Sequence, residues 1–301
     1  MEILGAPMSR IVLSTSSSGL DDMDIKHNIE LIRLRIHVNN VEFIDGKNIS
    51  SERLQHLMNE VSHSPVHTSP APAHEVAMML SGLQNKGVKE VFITTLSSQV
   101  SDSYQIISEV AQSFKDSMNI YVYDTKDLNA CEALLALEAD YLMQQNYAMQ
   151  DIASRLDALR RSHHMLFAAD DLSYLIKNKK VSTTAGFFAN LFSIKPVLQV
   201  SDAGDVVPIS KIRKIDKAFE YMVNQFENVI PRADSFAYVL SAGRPDLDSR
   251  FIAMLKQKTG VTDIAVLPVS AISLANHGPS GLGLCVFEGD VPSAAKLFAK
   301  F

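Results

Sequence analysis

The sequence predicts an α/β protein of two domains, the first built on a parallel sheet. Two observations carry that prediction. Short apolar runs alternate with longer segments whose apolar residues recur every three to four positions, the signature of strands joined by crossover helices. A chain of 301 residues, 47% of them hydrophobic, is also long enough for two ordinary buried cores.

Residues 10–13 read as the first strand and run into a polar turn, Ser14-Thr15-Ser16-Ser17-Ser18-Gly19. An extended stretch over 29–38 leads into 41–44, with Asp45-Gly46 read as the turn that closes a hairpin. Ser50 or Ser51 can cap a helix whose apolar face is Leu54, Leu57 and Val61, and the helix stops before Pro65. A helix over 73–85 ended by Gly87, a strand over 88–96, a helix over 101–114 and a strand over 120–123 make a repeated αβ unit. Helical patterns over 130–145 and 149–161 cover this sheet and lead out of the first domain, assigned to residues 1–160. The second domain, 161–301, starts with a strand over 166–169 and a helix over 172–177, followed by an apolar stretch over 185–192. A hairpin pairs 196–200 with 206–209 across Ala203-Gly204. A helix over 211–229, a strand over 235–240, a helix over 247–259, strands over 261–267 and 282–287, and a helix from Pro292 complete an α/β domain with a mixed sheet.

The charge balance excludes one class of partner. With 34 acidic against 28 basic residues and a net charge of −6, the chain has no basic surface to neutralise a phosphate backbone, so nucleic acid is not expected. Cys131 and Cys285 lack a CxxC or metal-spaced neighbour and read as reduced core residues. No apolar run reaches the roughly 20 residues needed to cross a bilayer, and residues 1–10 lack the charged-then-apolar order of a signal peptide. A soluble, cytoplasmic protein without stable membrane insertion is expected.

Two loops carry the candidate chemistry. At Thr68-Ser69-Pro70-Ala71-Pro72 the chain enters a helix, with Ser69 a natural N-cap and Pro70 at the first helical position. The cap accounts for Ser69 and leaves Thr68 unexplained. Pro70 and Pro72 remove amide donors, so any anion here must be held largely by hydroxyls. The second loop, Ser97-Ser98-Gln99-Val100-Ser101-Asp102-Ser103-Tyr104, leaves a strand's carboxyl end, where ligands bind in parallel α/β sheets. Its bland reading is a turn capped by Ser101.

Taken together the loops resemble the Thr-Ser-x-Pro-Ser and Ser-Ser-x-Leu-Ser-Gly-Thr-Tyr motifs of the DegV family. Ile120 to Thr125 resembles that family's strand ending in Asp-Ser, and Asp171 to Leu175 its Leu-x-x-Leu helix. Val181-Ser182 stands where Gly-Arg-Ile-Ser is common. Ile194-Lys195-Pro196-Val197-Leu198 resembles its Ile-Lys-Pro-Ile-Leu strand, and Lys211-Ile212-Arg213 its Lys-x-Arg. The resemblance implies a DegV-like two-domain fold: a Rossmann-like parallel sheet, a second domain with a mixed sheet, and a ligand tunnel between them. It implies a long-chain fatty acid as ligand, no cofactor, and a carboxylate held at Thr68, Ser69, Ser97, Ser98 and Ser101, with Arg213 and His277 as further binding residues. It also implies a fatty acid kinase as partner; the kinase, and not this protein, would do the chemistry. Hydroxyls suit a carboxylate, since each donates one hydrogen bond to an ionised oxygen. Twelve methionines and Phe187-Phe188-x-x-Leu191-Phe192 could line an apolar tunnel, or simply pack a core.

Three departures stand out from the family pattern. Ser14-Thr15-Ser16 replaces an Asp-Ser-Thr/Ser turn, removing a carboxylate. Asp102 replaces a Gly. Asn276 takes the place of the His in His-x-Gly-Pro-Gly, with His277 one residue later, and Asn cannot act as an acid or base at neutral pH. Gly278 to Gly283 runs into a strand, which argues against a phosphate loop. His63, His67 and His74 are split by Pro65 and read as loop residues, not metal ligands; Asp21-Asp22-x-Asp24 reads as a charged turn. Two other functions stay open: a hydrolase using Ser97 or Ser98, for which no Gly-x-Ser-x-Gly elbow is present, and a regulatory protein that keeps the fold without the ligand.

Overall fold

The computed structural model describes residues 9–60, 65–169, 172–181 and 194–298. Its first layer is a parallel four-stranded sheet in the order β2-β1-β6-β7, formed by β1 (Arg10–Thr15), β2 (Glu30–Ile32), β6 (Glu90–Thr95) and β7 (Asn119–Asp124). The alternation of strand and helix predicts this because a parallel pair needs a crossover. Helices α2 (Ala73–Asn85) and α3 (Ser103–Gln112) lie against each other, and a core of Ile11, Leu13, Val76, Leu80, Val91 and Ile107 joins α2 and α3 to the sheet.

The hairpin lies elsewhere than Asp45-Gly46. Strands β3 (Arg35–Val38) and β4 (Val41–Ile44) pair across Asn39-Asn40, both at positive φ, a conformation Asn tolerates better than other non-glycine residues. A further correction concerns Ser69. Val66–Ser69 is a strand, β5, antiparallel to β3, and α2 starts only at Ala73 with Pro72 in the cap position. Ser69 is thus a strand residue and caps nothing. Helix α1 (Ser51–Glu60) starts as expected, Ser50 Oγ accepting the Arg53 N–H at 3.2 Å.

The second layer is a mixed six-stranded sheet, β10-β9-β8-β13-β11-β12. It contains β8 (His163–Ala169), β9 (Val197–Val200), β10 (Val206–Ser210), β11 (Ser235–Ser241), β12 (Ala265–Pro268) and β13 (Gly281–Glu288); β9 and β10 form the predicted hairpin. Helices α7 (Ile215–Phe226) and α8 (Pro245–Thr259) cover one face through Phe219, Met222, Phe251 and Leu255. The other face turns toward the first layer, together with α6 (Ser173–Lys177) and α9 (Ala271–His277), a short helix the sequence reading did not contain. The apolar stretch 185–192 lies outside the described residues. Among the described residues no helix is long and apolar enough to cross a membrane.

Helix α4 (Ala130–Gln144) is buried around its circumference from Ala130 to Ala139. Ala130, Ala133, Ala136 and Ala139 recur every third residue, which lets the helix lie close on β1 and β6. Beside it runs α5 (Met149–Ser162). Glu132 is fully buried in α4 and receives hydrogen bonds from the hydroxyls of Ser14 (3.3 Å), Ser17 (2.6 Å) and Thr15. A carboxyl group therefore does stand at the end of β1, contributed by a helix and not by the strand.

Burial pushes the Glu132 carboxyl up to about 8, the three hydroxyl donors opposing the shift. The folded state then holds this proton more tightly than the unfolded chain does. The resulting stabilisation is full below the ordinary value of 4.5 and is lost as pH rises through about 8. Glu132→Gln keeps the shape and removes the titration. Urea unfolding at pH 6 and pH 9 should show wild type losing on the order of 2–4 kcal/mol more than Glu132→Gln across that interval.

Candidate functional site

The carboxyl ends of β1, β6 and β7 meet the inner face of the mixed sheet, and between them lies a cavity of about 480 Å³, within the range of roughly 300–1,000 Å³ usual for small-molecule sites. Strand β5 brings Thr68 and Ser69, and loops on the parallel-sheet side bring Ser98, Gln99, Ser101 and Asn129; the mixed sheet brings Met165, Phe167, Leu198, Val200 and Val206. Leu175 of α6 and Ile272 of α9 add to the apolar wall. The cavity thus combines a hydroxyl and amide region with a branched-aliphatic and aromatic one.

Each hydroxyl has a distinct setting. Thr68 Oγ1 accepts from Asn276 Nδ2 at 3.1 Å, and the same amide donates to the Ile272 carbonyl at 2.7 Å. Because a carbonyl cannot donate, that second bond fixes which end of the Asn276 amide is nitrogen. The Thr68 hydrogen is left for another acceptor. Ser69 Oγ lies 2.9 Å from His37 Nε2. Ser101 Oγ pairs with Ser103 Oγ at 2.9 Å and accepts the Ser103 N–H, tying the start of α3. At Ser98 the backbone N–H donates to Asp124 Oδ1, and the side chain borders the cavity.

Two of the expected binding residues lie outside this lining. Ser97 is fully buried, and its hydroxyl donates to the Gly204 carbonyl at 2.8 Å, in the turn between β9 and β10. A Cβ on Gly204 would stand 2.2 Å from Ser97 Oγ, so the turn docks on this loop only with glycine. Ser97 therefore joins the layers. Arg213 is exposed just before α7, away from the cavity wall. His277 is in the wall, packed on Phe167 with ring centroids 4.5 Å apart and, among the described residues, no hydrogen-bond partner for either side-chain nitrogen. Burial depresses it to about 4, so at neutral pH it is an uncharged imidazole, not a cation.

Charged residues border the same space, two of them lysines that the sequence reading missed. Lys179, Lys180 and Asp102 line it, and Lys180 donates to the Val100 carbonyl. Burial lowers the Lys180 ammonium, while Asp102 acts in the opposite direction. Asp102 thus lies within the field of a cation. Nothing in the Lys-Asn-Lys-Lys run distinguishes Lys180 from an ordinary solvated lysine before the fold brings it to the second loop.

The layers are locked by a buried polar joint. Asp127, after β7, accepts at 2.6 Å from His163 Nδ1 in β8, whose Nε2 is 2.9 Å from the Tyr238 hydroxyl. Since a carboxylate only accepts, Nδ1 carries the hydrogen; in the neutral ring Nε2 then accepts from Tyr238. Asp127, Cys131 and His163 present ligand-type atoms within 4.8 Å of one another. Both His163 nitrogens are already engaged, however, and burial and the neighbouring Asp127 raise the Cys131 thiol. Nearby, Asn129 Oδ1 accepts both the N–H and the hydroxyl of Ser270, each at 3.0 Å.

A cavity between the carboxyl edge of a parallel sheet and a mixed sheet defines a two-layer α/β protein with a built-in ligand-sized chamber. A sequence profile for the family described as "Uncharacterised protein, DegV family" matches residues 10–289, and the chain belongs to the DegV family. A DegV domain-containing protein of Staphylococcus aureus is 25% identical over 285 residues, covering 92% of this chain and 96% of the relative. One from Clostridium acetobutylicum is 20% identical over 284 residues, covering 93% and 100%. The crystal structure of DegV, a fatty acid binding protein from Bacillus subtilis, superposes with a TM-score of 0.81 at 21% identity, covering 93% of this chain and 99% of that one. A DegV family protein from Thermus thermophilus, described by its fatty acid binding, gives 0.80 at 20%, covering 93% and 100%. These likenesses establish the fold, a parallel sheet facing a mixed sheet.

The joint gives a test of how the chamber is closed. Asp127→Ala leaves the His163 N–H without its acceptor in the core and should lower the unfolding free energy by about 3 kcal/mol. Arg213→Ala, on the surface, should change it by less than about 0.5 kcal/mol. Urea denaturation followed by circular dichroism measures both.

Proposed function

We propose that this protein is a carrier of a long-chain fatty acid, its carboxylate held by Thr68, Ser69 and Ser98 and its acyl chain against the Met165, Phe167 and Leu198 side of the cavity. The observation that carries the reading is the chamber itself, with hydroxyls on one side and an apolar wall on the other. Thr68 is oriented for this by Asn276, which takes one of its lone pairs. Lys179 and Lys180 supply positive charge against the ligand's negative charge and that of Asp102. The solved Bacillus subtilis and Thermus thermophilus relatives, both described as binding fatty acids, support the same ligand class.

In this reading the protein has no cofactor and performs no reaction. A fatty acid kinase is the partner, and it carries out the phosphoryl transfer on the presented head group. Asn276 in place of a histidine can orient Thr68 but cannot carry a proton. The hydrolase alternative loses its expected nucleophiles: Ser97 is committed to Gly204, and among the described residues no histidine bonds to Ser97 or Ser98. The cytoplasm is the compartment proposed, where two buried free thiols are stable.

Titration of purified protein with oleate should show saturable binding. Thr68→Val should weaken it about tenfold or more, the loss of one hydrogen bond to a charged group, while Arg213→Ala should bind as wild type does. Folded wild-type protein that takes up neither oleate nor palmitate contradicts the proposal.

A further inference from the structure

We infer that His37 is a positioning residue of this site, setting the direction of the Ser69 hydroxyl and so selecting an ionised head group over a neutral one. The inference rests on the carboxylate-binding role proposed above. Ser69 borders the cavity and its Oγ is 2.9 Å from His37 Nε2. A hydroxyl has one hydrogen. If His37 Nε2 accepts that hydrogen, Ser69 offers the ligand only lone pairs, which repel a carboxylate. If Nε2 carries its own hydrogen and donates, Ser69 Oγ accepts, and the serine hydrogen is released toward the ligand. Carboxylate binding at Ser69 and a hydrogen on His37 Nε2 are therefore linked.

The fold holds the pair in place. His37 on β3 and His67 on β5 are register partners, and Ser69 lies two residues beyond His67 on the same strand face. The two imidazoles stack at 4.5 Å with planes 6° apart, so the His37 ring cannot swing freely away from Ser69. Glu42 of β4 is the register partner of His37 on its other side. The nearby Arg35 is already paired with Glu42 and with Glu75 of α2. The arrangement resembles a nucleophile and its base, but among the described residues no carboxylate bonds to His37, and Pro70 removes the N–H following Ser69. It orients; it does not attack.

Binding of oleate and of oleyl alcohol to wild type, His37→Phe and His37→Gln tests the assignment. His37→Phe keeps a flat ring on the strand but no hydrogen-bonding nitrogen; His37→Gln restores a donating nitrogen at similar reach. The assignment predicts about a tenfold loss of oleate affinity in His37→Phe, unchanged oleyl alcohol affinity, and recovery of oleate binding in His37→Gln. Oleate binding in His37→Phe equal to wild type overturns it, as does an equal loss of both ligands, which would mark a structural role only. Wild type that binds neither ligand overturns the fatty-acid reading instead, and this assignment with it.

Discussion

Everything the protein can hold depends on keeping the open carboxyl edge of its parallel sheet against the mixed sheet. Asp127 and His163 do this through a buried hydrogen bond that crosses between the layers, and Tyr238, also of the mixed sheet, holds the far side of the His163 ring. Asn129 with Ser270, and Ser97 with Gly204, repeat the connection on either side. Apolar contact alone would let two such surfaces slide, because burial of apolar area is not directional. Hydrogen bonds between fixed donors and acceptors set a register, and the chamber is the space that this register leaves.

The site is correspondingly economical in charge. Its ligand-facing donors are hydroxyls and an amide, and its cations are lysines balanced in part by Asp102. Hydroxyl donors at the head-group end add no further buried cation, whose desolvation would cost several kcal/mol. It also lets neighbours choose the hydroxyl direction, as Asn276 does for Thr68. The same economy appears at Glu132, a buried acid satisfied by three hydroxyls from the end of β1.

Much of this was legible in the sequence, where local chemistry decides the outcome. Helix α2 ends near Gly87, and β9 and β10 turn at Ala203-Gly204, because those positions need glycine whatever surrounds them. Strand β5 was not legible. Val66-His67-Thr68-Ser69 holds one buried apolar residue and abuts two prolines, and it is a strand only because β3 lies beside it. Ser97 was counted among the ligand donors because its partner, Gly204, is 107 residues away. Arg213 followed from a motif whose place in the fold is the surface. Lys180 and Asn129 gained their roles from the packing of the two layers, which no local pattern encodes.

Carbon-13 NMR of oleate labelled at its carboxyl carbon reports most directly on the claim that the head group sits among Thr68, Ser69 and Ser98. The account predicts one slowly exchanging bound resonance, distinct from free oleate, that stays ionised to a lower pH than the free acid and moves in Thr68→Val. A carboxyl resonance identical with and without protein, or a bound one indifferent to Thr68→Val, would contradict it.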